Sequence, residues 1–262
     1  MKSGRRREAG MVEWTHERYA AAAVTQIERM AGTVEGADFT TQVPTCPGWD
    51  LRQLVTHTGG VHRWAALMVG RLAAERFDRA ALEAGFAGLV DEKLAGWLRE
   101  GAGLLDEALT AHPGDAPMWA WGGDRHVRFW SRRQLHETVV HHADAALALG
   151  VTPDIPEDVA VDGVEEFLDI LPYAGRWRPE VRELTGDGET ISWRTGSGAA
   201  WLITLGPEGF AYERSAARAS ATLHADTAAE LLLLIWRRGE LERQRMDGET
   251  KLLRWWADHS MI

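Results

Sequence analysis

The chain has 262 residues, 45% hydrophobic and 26% charged, with a formal net charge of −10 at pH 7. It is long enough for one large domain or two ordinary ones, and its acidity excludes nonspecific binding to nucleic-acid phosphates. No apolar run could span a bilayer, and the single cysteine, Cys46, excludes a disulfide framework and cysteine-rich zinc sites.

Residues 1–10 (MKSGRRREAG) carry no apolar period and read as an extension outside the fold, with Met11 as an alternative beginning. The basic N-terminus is not followed by a signal-type apolar stretch, so a cytoplasmic location is expected. A first helix is predicted from Thr15, its N-cap, to about Met30, closed by Gly32, with Tyr19, Ala23, Ile27 and Met30 on its core face. Residues 41–50 form a loop, since Pro44, Pro47 and Gly48 do not fit together into a regular element. Asp50 then caps a second helix, with Gln53 completing a capping box. Leu54, His57, Val61, Trp64 and Met68 follow at helical steps, which turns His57 toward the interior. A lone inward histidine is more often a hydrogen-bonded core residue than a metal ligand. His62 lies on another face and receives no role.

A third helical region is expected between about Arg79 and Thr110, with Leu89, Leu94, Trp97, Leu98, Leu104, Leu105 and Leu109 as apolar positions. Gly96, Gly101 and Gly103 leave its continuity open. After a Pro/Gly-rich connection, Ser131 and Gln134 suggest the start of a fourth helix of about five turns, uninterrupted before Gly150. At about 100° per residue, Glu137, His141 and Asp144 fall within roughly 60° of one another. A carboxylate and an imidazole so placed could share a divalent cation, or form an ordinary i,i+4 pair. The run His136-Glu137 followed by His141 is not the zincin H-E-x-x-H, because histidines five apart lie about 140° apart on a helix. Four helices so joined make a bundle, whose inward side chains often build metal sites.

Residues 151–158, with two prolines and three acids, read as a domain linker, dividing the chain into domains at 11–150 and 155–262. Beyond it a helix is predicted over Val159–Leu171, ending before Pro172. Strands follow at Thr190–Thr195, Ala200–Leu205, Phe210–Arg214 and Ala221–His224, then helices at Thr227–Arg238 and near Glu249–His259. Connections at Gly186-Asp-Gly188, Gly196-Ser-Gly198 and Gly206-Pro-Glu-Gly209 have hairpin chemistry, so a small α+β domain with an antiparallel sheet is expected.

Val43-Pro-Thr-Cys-Pro-Gly-Trp49, Leu54-Val-Thr-His57, Gly60-Val-His62-Arg-Trp64 and Arg132–His141 together resemble the motifs of the mycothiol-dependent maleylpyruvate isomerase family. The C-terminal Leu232–Arg238 and Met246–Leu253 resemble the small sterol-carrier-like domain of that family. The resemblance implies a DinB-like four-helix bundle holding Zn²⁺ through His57, Glu137 and His141. It makes Asp144 and Arg238 catalytic candidates, with Arg238 or its neighbour Arg237 binding the cosubstrate or a substrate carboxylate. It also gives the Cys46 loop a structural role. The implied activity is an enzyme using mycothiol, a low-molecular-weight thiol, against a small electrophile, by cis–trans isomerisation or S-transfer. A zinc hydrolase, or a noncatalytic binding protein on the same fold, is the alternative.

Overall fold

The computed structural model describes residues 13–78, 86 and 88–262. The expected extension at 1–10 and the expected start of the third helix near Arg79 lie outside the described residues. Among the described residues, four helices form the first half: α1 (His16–Val34), α2 (Leu51–Gly70), α3 (Asp91–Thr110) and α4 (Val127–Ala148). The Thr15 hydroxyl accepts from the Arg18 N–H, and Asp50 and Gln53 form the expected reciprocal capping box. Tyr19, Ala23, Ile27 and Met30 are all buried.

Several boundaries differ from expectation. Helix α1 runs through Gly32 to Val34, and Gly36, at φ +72°, makes the turn instead. Helix α3 is continuous through its three glycines, although Leu104 faces solvent. Helix α4 starts four residues before Ser131, after His126, whose residue pairs with Pro117 in a β-bridge. Ser131 is therefore not a cap: its Oγ donates to the Arg128 carbonyl and meets His16 Nδ1 at 3.1 Å. Close approach of α2 and α3 depends on Gly59, where a Cβ would overlap the Trp97 ring.

Helix α5 (Glu157–Ala174) follows the linker and keeps Pro172 in its last turn, contrary to the expected stop. The sheet comprises β1 (Thr190–Thr195), β2 (Ala200–Gly206), β3 (Gly209–Arg214), β4 (Ala221–Ala225) and β5 (Arg245–Gly248), in the order β3-β2-β1-β4-β5. It is mixed rather than wholly antiparallel, because β1 and β4 run parallel. Residues 215–220 carry the chain back past β1, held by Arg194 Nη2 to the carbonyls of Ala216 and Ala217 at 2.9 and 2.8 Å. The Gly196 and Gly206 turns make hairpins, whereas Gly186–Gly188 only leads into β1. Helices α6 (Ala228–Ile235) and α7 (Thr250–His259) complete the chain.

One apolar core fills the bundle. A second joins Tyr19, Ala23, Leu135 and Val139 of the bundle to Phe167 and Leu171 of α5 and to Trp193, Trp201 and Ile203 of the sheet. The two halves therefore share a continuous apolar contact. No helix among the described residues is long and apolar enough to cross a membrane.

Candidate metal centre

The 43–50 loop is a tight, internally bonded turn. Val43 N–H donates to the Trp49 carbonyl at 2.9 Å, Trp49 N–H to the Cys46 carbonyl at 3.0 Å, and Gly48 adopts φ +84°. The loop brings Thr45, Cys46 and Trp49 against α4. The Trp49 ring lies 4.9 Å from that of His57 and 6.5 Å from that of His141.

Between α2 and α4, Glu137 Oε1 stands 3.5 Å from His57 Nε2 and 3.4 Å from His141 Nε2. Donor atoms of these three residues all lie within 4.8 Å of one another. His57 is not sealed in the core as its helical stripe implies: its side chain keeps 29% of its exposure at the rim of the site. His62, by contrast, is fully buried against α4 and meets Thr138 Oγ1 at 2.9 Å. Burial pushes its pKa down to about 3, which leaves it a neutral structural residue.

Each donor is held from behind. Asp144 Oδ2 faces His141 Nδ1 at 2.9 Å, which turns the Nε2 lone pair toward Glu137 and His57 when Nδ1 carries the proton. Arg133 Nη2 donates to Glu137 Oε2 at 2.9 Å. Burial opposes ionisation of Glu137, but both imidazoles and Arg133 outweigh it and hold the carboxyl well below its usual range. Burial also opposes a charged His141, yet Asp144, Cys46 and Glu137 together push its pKa well above the ordinary value.

Asp144 is fully buried and is the hub of a second set of contacts. It accepts from Thr45 Oγ1 at 2.6 Å, from Arg238 Nε and Nη2 at 2.9 and 2.7 Å, and from Cys46 Sγ at 3.4 Å. The expected loop cysteine is thus beside the donor cluster, with Arg238 Nη2 3.7 Å from its sulfur. Arg238 reaches the site from the second domain, but its bidentate edge is taken by Asp144 rather than left open for a substrate carboxylate. Arg237 is not brought there. Its backbone is left-handed, at φ +66°, and its guanidinium turns to the Ala257 carbonyl on α7.

The expected residues His57, Glu137, His141, Asp144 and Arg238 therefore converge, and Arg237 does not. Two residues at the site were not expected. Arg133 stands one helical turn before Glu137 and was available from spacing alone, whereas Glu166 joins it from α5.

Residues 20–146 match the family described as mycothiol maleylpyruvate isomerase N-terminal domain. The helical bundle belongs to that family. The whole fold is also similar to crystal structures of the mycothiol-dependent maleylpyruvate isomerase and of a histidine-to-alanine mutant of it. Identities are 14% and 13% and TM-scores 0.58 and 0.59, with 89% of this chain and 93% of each solved chain covered. At such identities the likeness is one of fold, and it extends beyond the isomerase-family bundle into the sheet domain. No curated protein sequence matches the chain.

Proposed function

We propose that the protein is an enzyme that uses mycothiol as cosubstrate, with zinc held by His57, Glu137 and His141. One observation carries the metal reading. A tetrahedral site with ligands about 2.1 Å from zinc has edges of about 3.4 Å, and Glu137 Oε1 lies 3.4 and 3.5 Å from the two imidazole nitrogens. Two imidazoles and a carboxylate suit zinc and leave a fourth position for a thiol. A zinc ion there would supply the acidity that turns a weakly acidic thiol into a thiolate near neutral pH.

The remaining chemistry belongs to the chain. Asp144 holds the proton on His141 Nδ1 and so fixes the tautomer and tilt of that ring. His141 and Arg238 together keep Asp144 ionised against its burial, and Arg238 ties it to the second domain. Trp49 and Cys46 wall the loop side of the cluster. An unsaturated electrophile that takes up the thiol, rotates and expels it is isomerised from cis to trans; one that keeps the thiol is the product of S-transfer. Maleylpyruvate is the substrate class to try first. Dependence on a reduced thiol suits a cytoplasmic location.

The test is turnover of a maleyl-type substrate by the zinc-loaded protein with and without mycothiol. Activity only with the thiol is expected. Hydrolysis of an ester or amide at full rate without thiol would replace this reading with a hydrolase.

A further inference from the structure

We infer that the buried Arg133–Glu166 pair is a positioning clamp that restricts Glu137 to one ligating oxygen and thereby keeps a metal position open for the thiol. The inference rests on the zinc reading above. Arg133 is 5% exposed and Glu166 2%. Arg133 Nη1 donates to both Glu166 oxygens, at 2.7 and 2.6 Å, and its Nη2 to Glu137 Oε2 at 2.9 Å. The guanidinium lies 5.4 Å from the centre of the Trp236 ring, which packs against it from the second domain.

A carboxylate has two oxygens, and an unrestrained glutamate can give both to a cation. Here the Oε2 lone pairs face a charge-assisted donor, so the cation would meet Oε1 alone. Four-coordination with one exchangeable position then requires nothing further from the protein. Glu166 is needed because Arg133 without it would be free to swing with the Glu137 side chain. Its place on α5 fixes the guanidinium from a different helix. A purely structural ion pair would need two partners. The third partner is the candidate ligand itself, partly exposed at the rim of the site, and with both carboxylates ionised Arg133, Glu137 and Glu166 carry one more negative than positive charge, which favours a cation beside them. Arg133 and Glu166 are accordingly positioning residues, acting through Glu137.

Cobalt(II) loaded into the intact chain gives the readout, because its visible absorption is intense when four-coordinate and weak at higher coordination. Wild-type protein is expected to show the intense form and a sulfur-to-cobalt band on titration with mycothiol. In Arg133→Met the visible bands should weaken, and mycothiol should bind about tenfold to a hundredfold less tightly. Glu166→Gln keeps the shape of the site and should change both readouts in the same direction, so it decides the matter if Arg133→Met does not fold. Wild-type spectra and thiol titrations in a folded variant would overturn the clamp and leave the zinc reading standing. Complete loss of cobalt from folded Glu166→Gln would overturn it too, because the pair would then secure the ligand and not the open position. A wild-type chain that takes up no cobalt would remove the zinc reading and the clamp together.

Discussion

Replacing Asp144 with asparagine removes a charge from the most connected carboxylate at the site while keeping its shape. In the wild-type protein its two oxygens receive Thr45, the Nε and Nη2 of Arg238 and His141 Nδ1 at 2.6–2.9 Å. Arg238 is only 13% exposed, so Asp144→Asn leaves a nearly buried guanidinium facing a neutral amide. Removing one partner of a buried pair typically costs about 3–5 kcal/mol, and the amide oxygen still accepts, which places this substitution near 3 kcal/mol. For a chain of this size that corresponds to a Tm lower by about 6–12 °C. Calorimetric unfolding of the zinc-loaded variant checks it, with zinc expected to remain because all three ligands are intact. Arg238→Met should cost less in the Asp144→Asn background than in the wild type. A Tm shift below about 2 °C, or additive effects of the two substitutions, would refute the assignment of Asp144 and Arg238 as one coupled unit.

The remaining predictions concern acid, the cysteine and the domain boundary. Burial opposes ionisation of Asp162, but Arg132, His136 and Tyr19 outweigh it and hold its pKa below the usual value. Its contribution to stability is therefore present above the unfolded carboxylate pKa of about 4 and lost as pH falls below that. The stability gap between wild type and Asp162→Asn, measured by urea unfolding, should narrow from pH 5 to pH 2; a constant gap would contradict the assignment. Cys46→Ser should retain mycothiol-dependent turnover, because the nucleophile comes from the cosubstrate; loss of turnover with zinc and thiol binding intact would move the nucleophile to Cys46. We propose the domain boundary in the 151–156 segment. The fragment 11–150 should take up zinc, since it carries all three ligands, but melt below the intact chain because Tyr19, Leu135 and Val139 lose their cover. A fragment as stable as the whole protein would show that the shared apolar core adds nothing.

What could be read from the chain divides by range. The caps at Thr15 and Asp50 are local, since donor and acceptor lie within three residues, and both are as expected. The pattern at Ser131 misleads because tertiary contacts start α4 earlier, and no side chain caps its first turn. The β1–β4 strands stand close to their predicted limits, and β2 and β4 alternate buried with more exposed residues, whereas β5 is four residues long and exists through its pairing with β4. Parallel pairing of β1 with β4 depends on the path of residues 215–220, which has no periodic signal. At the site, helical spacing joins Glu137, His141 and Asp144, but only the fold brings His57, Glu166 and Cys46 to them. Arg237 and Arg238 are indistinguishable by composition. The left-handed backbone at Arg237 sends one to α7 and the other to Asp144.

The central claim is a zinc ion on His57, Glu137 and His141 that receives a thiol. Metal analysis of the purified chain, followed by calorimetric titration with mycothiol, tests it in one preparation. The account predicts about one zinc per chain and saturable thiol binding, both lost in His57→Ala and in His141→Ala. Full zinc occupancy in both variants, or thiol binding that survives removal of the metal, would contradict it.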